Sequence, residues 1–390
     1  MAGLEVASPT STEAAAALLR DSTGPLLFVG GGTKQGWAGR PEPPDLVVDT
    51  RRLAALVDHS PADMTAAVQA GMPLATFQRT MAEHGQWLAL DPPSEHAGAT
   101  IGGLLASGES GPRRLRHGSL RDLVIGATVV LADGTVAHVG GHVIKNVAGY
   151  DLTKLMYGSL GTLGLVTEVV VRLHPRPETA ASVATTCTLD QATALTLRLM
   201  ASPLEPSAVV WISAADGAGG LTVRFDGRAG AVAAQVATTR ALVGDVGLAA
   251  EVEEPPTDVR PEAAHPADGG SATRLRTATR PSDLPGVAGA LTAAARRSGC
   301  HAVVVAQTGV GILDVRLDGP LEGQASCITT WREVVLALDG TVLVQDRSPA
   351  LDEHLDVLGP PPSAVHLLRN VKRSLDPAGR CAPGRFGSWY

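Results

Sequence analysis

A run of three glycines constrains the fold of this chain more than any other feature of the sequence. Gly30-Gly31-Gly32 follows the apolar run Leu26–Val29, which predicts a buried strand ending in a tight turn. Such a turn lets backbone N–H groups approach a ligand phosphate closely. The stretch 36–44 then contains three prolines, which cannot sit inside a helix. A doubly wound dinucleotide fold needs a helix to start at the glycines, so the sequence argues against that fold.

Two further glycine-rich segments decide how the first one is interpreted. A P-loop does not fit, because Lys34 is followed by Gln35 rather than by Ser or Thr. One glycine cluster alone is equally typical of a structural turn. The segments 99–119 and 157–164, however, also offer small residues, hydroxyl groups and backbone N–H groups. Three such segments on one α/β unit suit a long cleft for an extended, phosphate-bearing cofactor.

Composition bounds the class of protein. A chain of 390 residues is too long for one ordinary core, so two packed units are expected. The net charge of −7 and the lack of a long basic run argue against nucleic acid as a partner. No apolar stretch of about 18 residues occurs, and the start lacks a basic segment followed by an apolar one, so neither a membrane span nor a signal peptide is expected. The cysteines are scattered without a C-x-x-C pair, which suits a reducing cytoplasm and predicts no metal site or iron–sulfur cluster in this chain: Cys187, Cys300, Cys327 and Cys381.

Hydrophobic periodicity and turn signals predict a mixed α and β chain. Before residue 175 they predict helices at Glu13–Arg20, Pro73–His84 and Asp151–Tyr157, with a capping box from Thr10 to Glu13, and strands at Leu26–Val29, Asp45–Asp49, Met64–Gly71, Leu123–Leu131, Val136–Val139 and Leu165–Leu173. After Pro177 they predict strands at Ala208–Ile212, Leu221–Phe225, Ala302–Ala306 and Gly311–Leu317, helices at Ala229–Val243, Leu284–Arg297 and Ser363–Leu375, and an exposed loop at 253–270.

These motifs resemble the FAD-binding proteins of the vanillyl-alcohol oxidase / p-cresol methylhydroxylase type. The matching pieces, which cover about residues 20–175, are Gly30–Gly36, Asp91–Pro93 leading to Ala99–Gly103, His117–Ser119 with Asp122, and Lys145–Asp151 with Gly158–Gly164; the ending Asp376–Arg385 is also similar. Within the family, Gly111–Arg114, Lys145–Asp151 and the short length most resemble the FAD-binding (E-type) subunits of bacterial glycolate oxidases.

The resemblance implies an α+β fold with FAD as the cofactor. It implies a two-subdomain FAD-binding domain at residues 1–175, an α+β cap domain with a mostly antiparallel sheet at 176–362, and a segment at 363–390 that returns to the FAD domain. Thr33 stands where some relatives carry a His that attaches FAD covalently, so non-covalent FAD is predicted. The implied pyrophosphate contacts are Gly30, Gly31, Gly32, Thr33 and Gly36; the implied flavin side is a Thr100–Gly111 loop with Thr100, Gly102, Gly103, Ser107, Gly108 and Gly111, together with Gly118; Gly161, Gly164 and Val166 would supply further backbone contacts.

One departure from the family bears on the reaction. Relatives that oxidise 2-hydroxy acids carry a His-bearing G-D-G-N-x-H segment that helps to bind metal and substrate. The counterpart here, Ala306–Asp314, has neither His nor Asn, and its only acid is Asp314. Since oxidation of the hydroxyl needs a positioned base, no complete catalytic site is visible and no catalytic residue is assigned.

The resemblance therefore implies an FAD-binding subunit of a glycolate-oxidase-like complex, which oxidises a small 2-hydroxy acid or relays electrons from it. It also implies a second flavin subunit and an iron–sulfur subunit as partners, in the cytoplasm or at the membrane periphery through those partners. A self-sufficient FAD-linked dehydrogenase of another substrate and a non-catalytic assembly subunit are the alternatives.

The remaining candidate residues each have a plainer explanation. The histidines near the glycine segments, the lysine and tyrosine of the third matching piece, and the basic cluster after Gly111 could face a cofactor or a partner, or could be solvated surface groups. A cysteine near the C-terminus is expected to be inert. These candidates are His96, His117, Lys145, Tyr150, Asp151, Arg113, Arg114, Arg116, Arg121 and Cys381.

Overall fold

The chain forms two compact units, each built from separate stretches of sequence. The computed structural model describes residues 5–141, 151–214, 218–256, 272–387 and 389–390. The first unit combines residues 1–110, 118–176 and 358–390, and the second combines 111–117 with 177–357. Lys145, Tyr150 and most of the predicted loop 253–270 lie outside the described residues.

The elements up to residue 176 alternate between short strands and short helices. The strands are β1 (Glu5–Ala7), β2 (Leu26–Val29), β3 (Leu46–Asp49), β4 (Leu56–Ser60), β5 (Thr65–Gln69), β6 (Gln86–Trp87), β7 (Val124–Val130), β8 (Val136–Gly140), β9 (Leu165–Arg172) and β10 (His174–Pro175). The helices are α1 (Thr12–Asp21), α2 (Leu74–Ala82), α3 (Ile101–Ser107), α4 (Arg114–His117), α5 (Leu120–Leu123) and α6 (Thr153–Met156), with a 3-10 turn at Thr50–Arg52.

The elements after residue 176 are longer. The strands are β11 (Thr179–Cys187), β12 (Ala208–Ser213), β13 (Gly219–Gly227), β14 (Glu251–Glu253), β15 (Thr273–Ala278), β16 (His301–Gln307), β17 (Ile312–Asp318) and β18 (Thr341–Val344). The helices are α7 (Leu189–Met200), α8 (Ala229–Gly244), α9 (Leu284–Arg297), α10 (Leu321–Ala337) and α11 (Val365–Leu375), with 3-10 turns at Pro281–Asp283 and Pro349–Glu353.

An antiparallel sheet forms the larger layer of the first unit. Its strand order is β4-β5-β9-β7-β8, and the central strand β9 is rich in β-branched residues that suit a buried pleated surface. Phe77 and Met81 of α2 and Leu104 of α3 are buried in the same core as Val169 of β9. The helices α2 and α3 therefore share one hydrophobic core with the sheet.

A small parallel sheet, ordered β1-β3-β2, forms the other layer of the first unit. Leu19 of α1 is buried in a core with Leu26 and Val48 of this sheet. Cys381, from the end of the chain, makes a parallel bridge to Leu26 and lies in the same core. The two ends of the sequence are thus tied together beside the glycine turn that follows β2.

The second unit is one antiparallel sheet with helices packed on it. The strand order is β14-β11-β13-β12-β16-β17-β15-β18. Helix α8 packs on β11 and β13, α9 packs on β16 and β17, and α10 packs on α9 and β18. The expected α+β fold with a mostly antiparallel second sheet is confirmed.

Several boundaries differ from the sequence prediction. Helix α1 is capped by Ser11, whose Oγ accepts from the Ala14 N–H at 3.1 Å, and not by Thr10. The predicted helix Asp151–Tyr157 is confined to Thr153–Met156. The largest correction concerns the predicted Thr100–Gly111 loop, because its first half is the helix α3.

Candidate functional site

The three glycine segments meet at one cleft in the first unit. The cleft encloses about 750 Å³ including its open mouth. The following residues were predicted from the sequence to contact the cofactor, and all of them line the cleft: Gly30, Gly31, Gly32, Thr33, Thr100, Gly102, Gly103, Ser107, Gly161, Gly164 and Val166. The structure therefore brings together residues from all three segments, although the first and the third lie more than a hundred positions apart in the sequence.

The first glycine turn is packed so closely that side chains are excluded from it. A Cβ atom on Gly30 would lie 2.3 Å from Thr100 Oγ1, and one on Gly31 would lie 2.0 Å from the Gly98 carbonyl oxygen. Gly32 has a φ of +72°, a left-handed conformation that L-residues rarely adopt, and open space where a side chain would be. The first two glycines thus allow the turn to contact the second segment, and the third leaves the cleft empty beside the backbone.

The turn presents backbone donors that the fold itself does not use. Among the described residues, nothing accepts a hydrogen bond from the N–H groups of Gly31, Gly32 and Thr33. The Gly161 N–H, from the third segment, is equally without an acceptor within the described part of the chain. Successive backbone N–H groups in a turn form a concavity that binds anions such as phosphate.

Helix α3 forms the second wall. The Thr100 side chain caps the helix by accepting from the Gly103 N–H at 3.2 Å, and Gly108 ends it with a φ of +70°. Gly102 is needed for contact, because a Cβ atom there would lie 2.7 Å from Ala70 Cβ. A hydroxyl cap and a glycine at the C-terminal end are the usual signals of a helix, even a short one.

The third glycine segment is attached to the end of α3. The Gly158 N–H donates to the Leu105 carbonyl at 3.0 Å, and the Leu160 N–H donates to the Ala106 carbonyl at 2.8 Å. Tyr157 Oη donates to the Gly108 carbonyl at 2.9 Å. These bonds use the carbonyl groups that the last turn of a helix leaves without partners, so α3 positions the third segment as well as the second.

A buried ion pair joins the first segment to the residues around α3. Lys34 Nζ lies 3.0 Å from Glu109 Oε2, and their side chains are 10% and 3% exposed. Lys34 Nζ also donates to Thr33 Oγ1 at 2.9 Å and to Ser94 Oγ at 2.5 Å. Ser94 Oγ in turn donates to Glu109. The lysine charge at the cleft is therefore largely matched by a carboxylate, and the turn is fixed to two other segments.

Four of the predicted cofactor residues do not line the cleft: Gly36, Gly108, Gly111 and Gly118. Gly108 is the C-terminal cap of α3, and Gly111 belongs to the second unit. Gly118 precedes α5 with a φ of +77°, and a Cβ atom there would lie 2.8 Å from Asp122 Cβ. Backbone geometry thus accounts for glycine at positions 108 and 118.

The other candidate residues that the structure describes lie outside the cleft lining. His96 is exposed, and Asp151 pairs with Lys154 at 3.3 Å. Arg113 pairs with the buried Asp226 at 3.2 Å within the second unit, and the two guanidinium groups of Arg113 and Arg224 hold the pKa of Asp226 below its usual value despite burial. The positions of the remaining described candidates are as follows: His117 ends α4, Arg114 and Arg116 lie in α4, Arg121 lies in α5, and Cys381 is buried beside Leu26.

Sequence reasoning missed several lining residues, of which Arg385 is the most informative. The C-terminal segment was expected to return to the FAD domain, yet no residue of it was assigned a role. Arg385 is 3% exposed and lines the cleft together with Lys34 and Phe28. A buried arginine needs several acceptors, and no sequence pattern shows which carbonyl groups supply them.

Neither a metal site nor a membrane-spanning helix is found within the described ranges. No group of three or more His, Cys, Asp or Glu side chains is placed to hold a metal ion there. No helix in the same part of the chain is long and apolar enough to cross a membrane.

A known family model matches the first part of the chain. Residues 4–140 match the family model described as the FAD binding domain. This part of the chain is an FAD-binding domain. FAD is accordingly its cofactor.

Three curated relatives show how far the similarity extends. Glycolate oxidase subunit GlcE of Escherichia coli (strain K12) is 33% identical over 225 residues, which are 58% of this chain and 61% of that protein. Glycolate oxidase subunit GlcD of Bacillus subtilis (strain 168) is 39% identical over 155 residues, which are 40% of this chain and 33% of that protein. D-lactate dehydrogenase of Archaeoglobus fulgidus is 35% identical over 176 residues, 44% of this chain and 39% of that protein. The matched region spans less than two thirds of each relative.

A solved structure shows the same fold. The chain resembles an alkyldihydroxyacetonephosphate synthase with a TM-score of 0.71 and 14% sequence identity, over 97% of this chain and 76% of that one. At this identity the likeness concerns the fold alone.

The residues present fit FAD. Its pyrophosphate needs several hydrogen-bond donors, and Gly31, Gly32, Thr33 and Gly161 offer N–H groups that have no acceptor among the described residues. The open space beside Gly32 gives the backbone direct access to a ligand.

Proposed function

We propose that this chain is the FAD-binding subunit of a glycolate-oxidase-like complex that oxidises a small 2-hydroxy acid. The supporting relatives are the two glycolate oxidase subunits and the D-lactate dehydrogenase. The chemistry that FAD would supply is acceptance of the hydride equivalent from the hydroxyl-bearing carbon.

The proposed cofactor contacts follow from the cleft. Gly31, Gly32 and Thr33 would donate backbone hydrogen bonds to the pyrophosphate, with Gly161 donating from the third segment. Thr33 carries a hydroxyl group, whose Oγ1 accepts a hydrogen bond from Lys34. It therefore lacks the imidazole through which a His at this position would attach the flavin. FAD is therefore proposed to be held without a covalent bond.

The proposed dependence on partner subunits rests on the burial and hydrogen bonds of Asp314. This residue is the only acid in Ala306–Asp314, the counterpart of the His-bearing segment, and that segment is described throughout. Asp314 is 4% exposed, and its carboxylate accepts from Arg276 Nε at 2.6 Å and from Gln307 Nε2 at 3.0 Å. Both carboxylate oxygens of Asp314 are thus engaged by neighbouring side chains, and the segment offers no histidine as an alternative base for the substrate hydroxyl. We therefore propose that a second flavin subunit and an iron–sulfur subunit complete the catalytic unit.

The test compares the flavinated chain alone with the chain plus candidate partner subunits. Glycolate and D-lactate are supplied with an artificial electron acceptor, and acceptor reduction is followed. The proposal predicts no steady turnover by the chain alone and turnover once the partners are added. Steady glycolate oxidation by the fully flavinated chain alone would contradict the dependence on partners and would favour a self-sufficient dehydrogenase.

A further inference from the structure

We propose that Arg385, from the C-terminal tail, is a positioning residue for the FAD site. Its guanidinium group holds the segment 35–39, which continues directly from the glycine turn, and thereby keeps the turn open to the cleft. This inference rests on the FAD-binding domain and not on the reaction proposed above.

The contacts of Arg385 are concentrated on that one segment. Nη1 donates to the carbonyl oxygen of Gln35 at 2.8 Å and to that of Trp37 at 3.0 Å, and lies 3.4 Å from the Gly39 carbonyl. Nη2 donates to Gln35 Oε1 at 3.0 Å. A planar guanidinium can bind several carbonyl groups in one fixed arrangement, which an ammonium group cannot do. Arg385 therefore fixes the backbone path of the whole segment.

The segment it holds is strained. Ala38 has a φ of +57°, in the left-handed region, and is 1% exposed. The carbonyl groups of both its neighbours, Trp37 and Gly39, face Arg385. A non-glycine residue persists in this conformation only where its surroundings enforce it, and strain of this kind is common at functional sites. Loss of the Arg385 hydrogen bonds would therefore let this segment relax.

The backbones of tail and segment also lie in direct contact. The Gly39 N–H donates to the Arg385 carbonyl at 2.8 Å, and the Glu42 N–H donates to the Pro383 carbonyl at 2.8 Å. A Cβ atom on Gly39 would lie 2.7 Å from the Gly384 carbonyl oxygen. The Arg385 side chain and the main chain of residues 383–385 therefore both contact residues 35–42. We call these contacts together the clamp.

The tail contains a second arginine, the half-buried Arg380, that serves as a control. Arg380 donates to the carbonyl groups of Leu19 and Ala132 through Nη1 and to that of Gly24 through Nε. It belongs to the same unit, yet neither Arg380 nor these three residues line the cleft. Loss of either arginine removes a similar set of hydrogen bonds, but only Arg385 acts on the cofactor turn.

The experiment measures FAD affinity and thermal stability of the full chain carrying Arg385→Met, Arg385→Lys or Arg380→Met. FAD binding to the flavin-free protein is followed by flavin fluorescence, and melting is followed without FAD. We expect Arg385→Met to raise the FAD Kd by about tenfold or more, because it removes charge-assisted hydrogen bonds that shape the site. The FAD Kd of Arg380→Met should stay within about twofold of the wild-type value. Arg385→Lys, which keeps the charge but not the fork, should lie between Arg385→Met and the wild type.

Two results would overturn the proposal. One is an unchanged FAD Kd in Arg385→Met, and the other is an equal loss of affinity in Arg385→Met and Arg380→Met, which would show a general effect of stability. If Arg385→Met does not fold, the FAD affinity of Gly39→Ala tests the proposal instead. The added Cβ would push the tail away from the segment while the Arg385 guanidinium is kept. Weakened FAD binding by Gly39→Ala supports the clamp, and wild-type binding rejects it.

Discussion

At the residue scale, the pair of Lys34 and Glu109 determines how the glycine turn is fixed. Both side chains are nearly buried, and Ser94 and Thr33 complete the network. Burial of two charges is costly, so such a pair contributes less to stability than its distance suggests, whereas removal of one partner leaves an uncompensated charge. The pair is therefore expected to define the shape of the cleft wall more than to stabilise the fold.

Substitution of the pair gives a non-additive prediction. Lys34→Met should lower the free energy of unfolding by about 3–5 kcal/mol, because the Glu109 carboxylate stays buried without its partner. The double variant Lys34→Met/Glu109→Leu should recover much of that loss, since neither charge is then buried. Urea unfolding of the two variants and the wild type measures this. Additive losses would show that the two residues do not act as a pair.

Cys381 gives a prediction about pH. Burial, with a contribution from the Asp376 carboxylate, raises the pKa of its thiol from 9.0 to about 12. Between these values the folded chain keeps a proton that the unfolded chain has lost, so the free energy of unfolding falls as pH rises through that window. At neutral pH the thiol is protonated in both states and adds no pH dependence.

The comparison of wild type with Cys381→Ala isolates this effect. Other groups with raised pKa values, such as Cys327 and Tyr390, are present in both proteins and cancel in the difference. The wild-type free energy of unfolding should fall more steeply from pH 8 to pH 10.5 than that of the variant, by up to about 1.4 kcal/mol per pH unit above pH 9. Parallel pH profiles would mean that the Cys381 thiol is not shielded as the structure places it.

At the element scale, helix α3 organises the site. It supplies Thr100, Gly102 and Ser107 to the cleft, and its last carbonyl groups hold the third glycine segment. The short helix depends on its N-cap, because two glycines in its first turn weaken its intrinsic tendency to form. We therefore expect loss of the N-cap to affect the cofactor site as well as the helix.

Two cap substitutions separate this coupling from helix stability. Thr100→Ala and Ser11→Ala each remove a side-chain acceptor at a helix N-terminus, worth about 1 kcal/mol. Only Thr100 lines the cleft, so only Thr100→Ala should also weaken FAD binding, by several-fold. Chemical unfolding and an FAD titration measure the two effects. Equal FAD affinity in both variants would show that α3 does not shape the cofactor site.

The same element shows what the sequence could and could not predict. Strands such as β2, β7 and β9 were predictable, because their apolar runs are bounded by glycine turns. Helix α3 was predicted to be a loop, because the two glycines in its first turn are poor helix formers. Helix α10 was missed because the polar residues Gln324 and Arg332 are buried on it and interrupt the apolar stripe.

The site itself was predictable only in part. The glycine segments carried enough signal for their assignment to one cleft, since backbone access demands glycine. The contacts that hold them, such as Lys34 with Glu109 and Arg385 with Trp37, join positions far apart in sequence. No local pattern records such pairs, because long-range packing alone brings them together.

At the scale of the whole molecule, the FAD-binding unit is discontinuous. It is interrupted by residues 111–117 and by 177–357, and its last segment supplies Arg385 to the cleft. The lining of the cleft is complete only when the first and last parts of the chain have come together. We therefore expect FAD binding to report on correct folding of the entire first unit.

The central claim is that FAD is bound without a covalent bond at the glycine turn. Its most direct test is the absorbance spectrum of the purified full chain, after incubation with FAD and removal of the excess, before and after acid precipitation. Gly32→Leu and Gly85→Leu are recorded beside the wild type. Both glycines have positive φ and open space, so the backbone strain is similar, but only Gly32 faces the cleft.

We predict a flavin spectrum that acid releases into the supernatant for the wild type and for Gly85→Leu, and no bound flavin for Gly32→Leu. Absence of flavin from the wild type would contradict the cofactor assignment and favour a non-catalytic assembly subunit. Equal flavin content in all three proteins would place the cofactor elsewhere, and flavin retained in the pellet would contradict non-covalent binding.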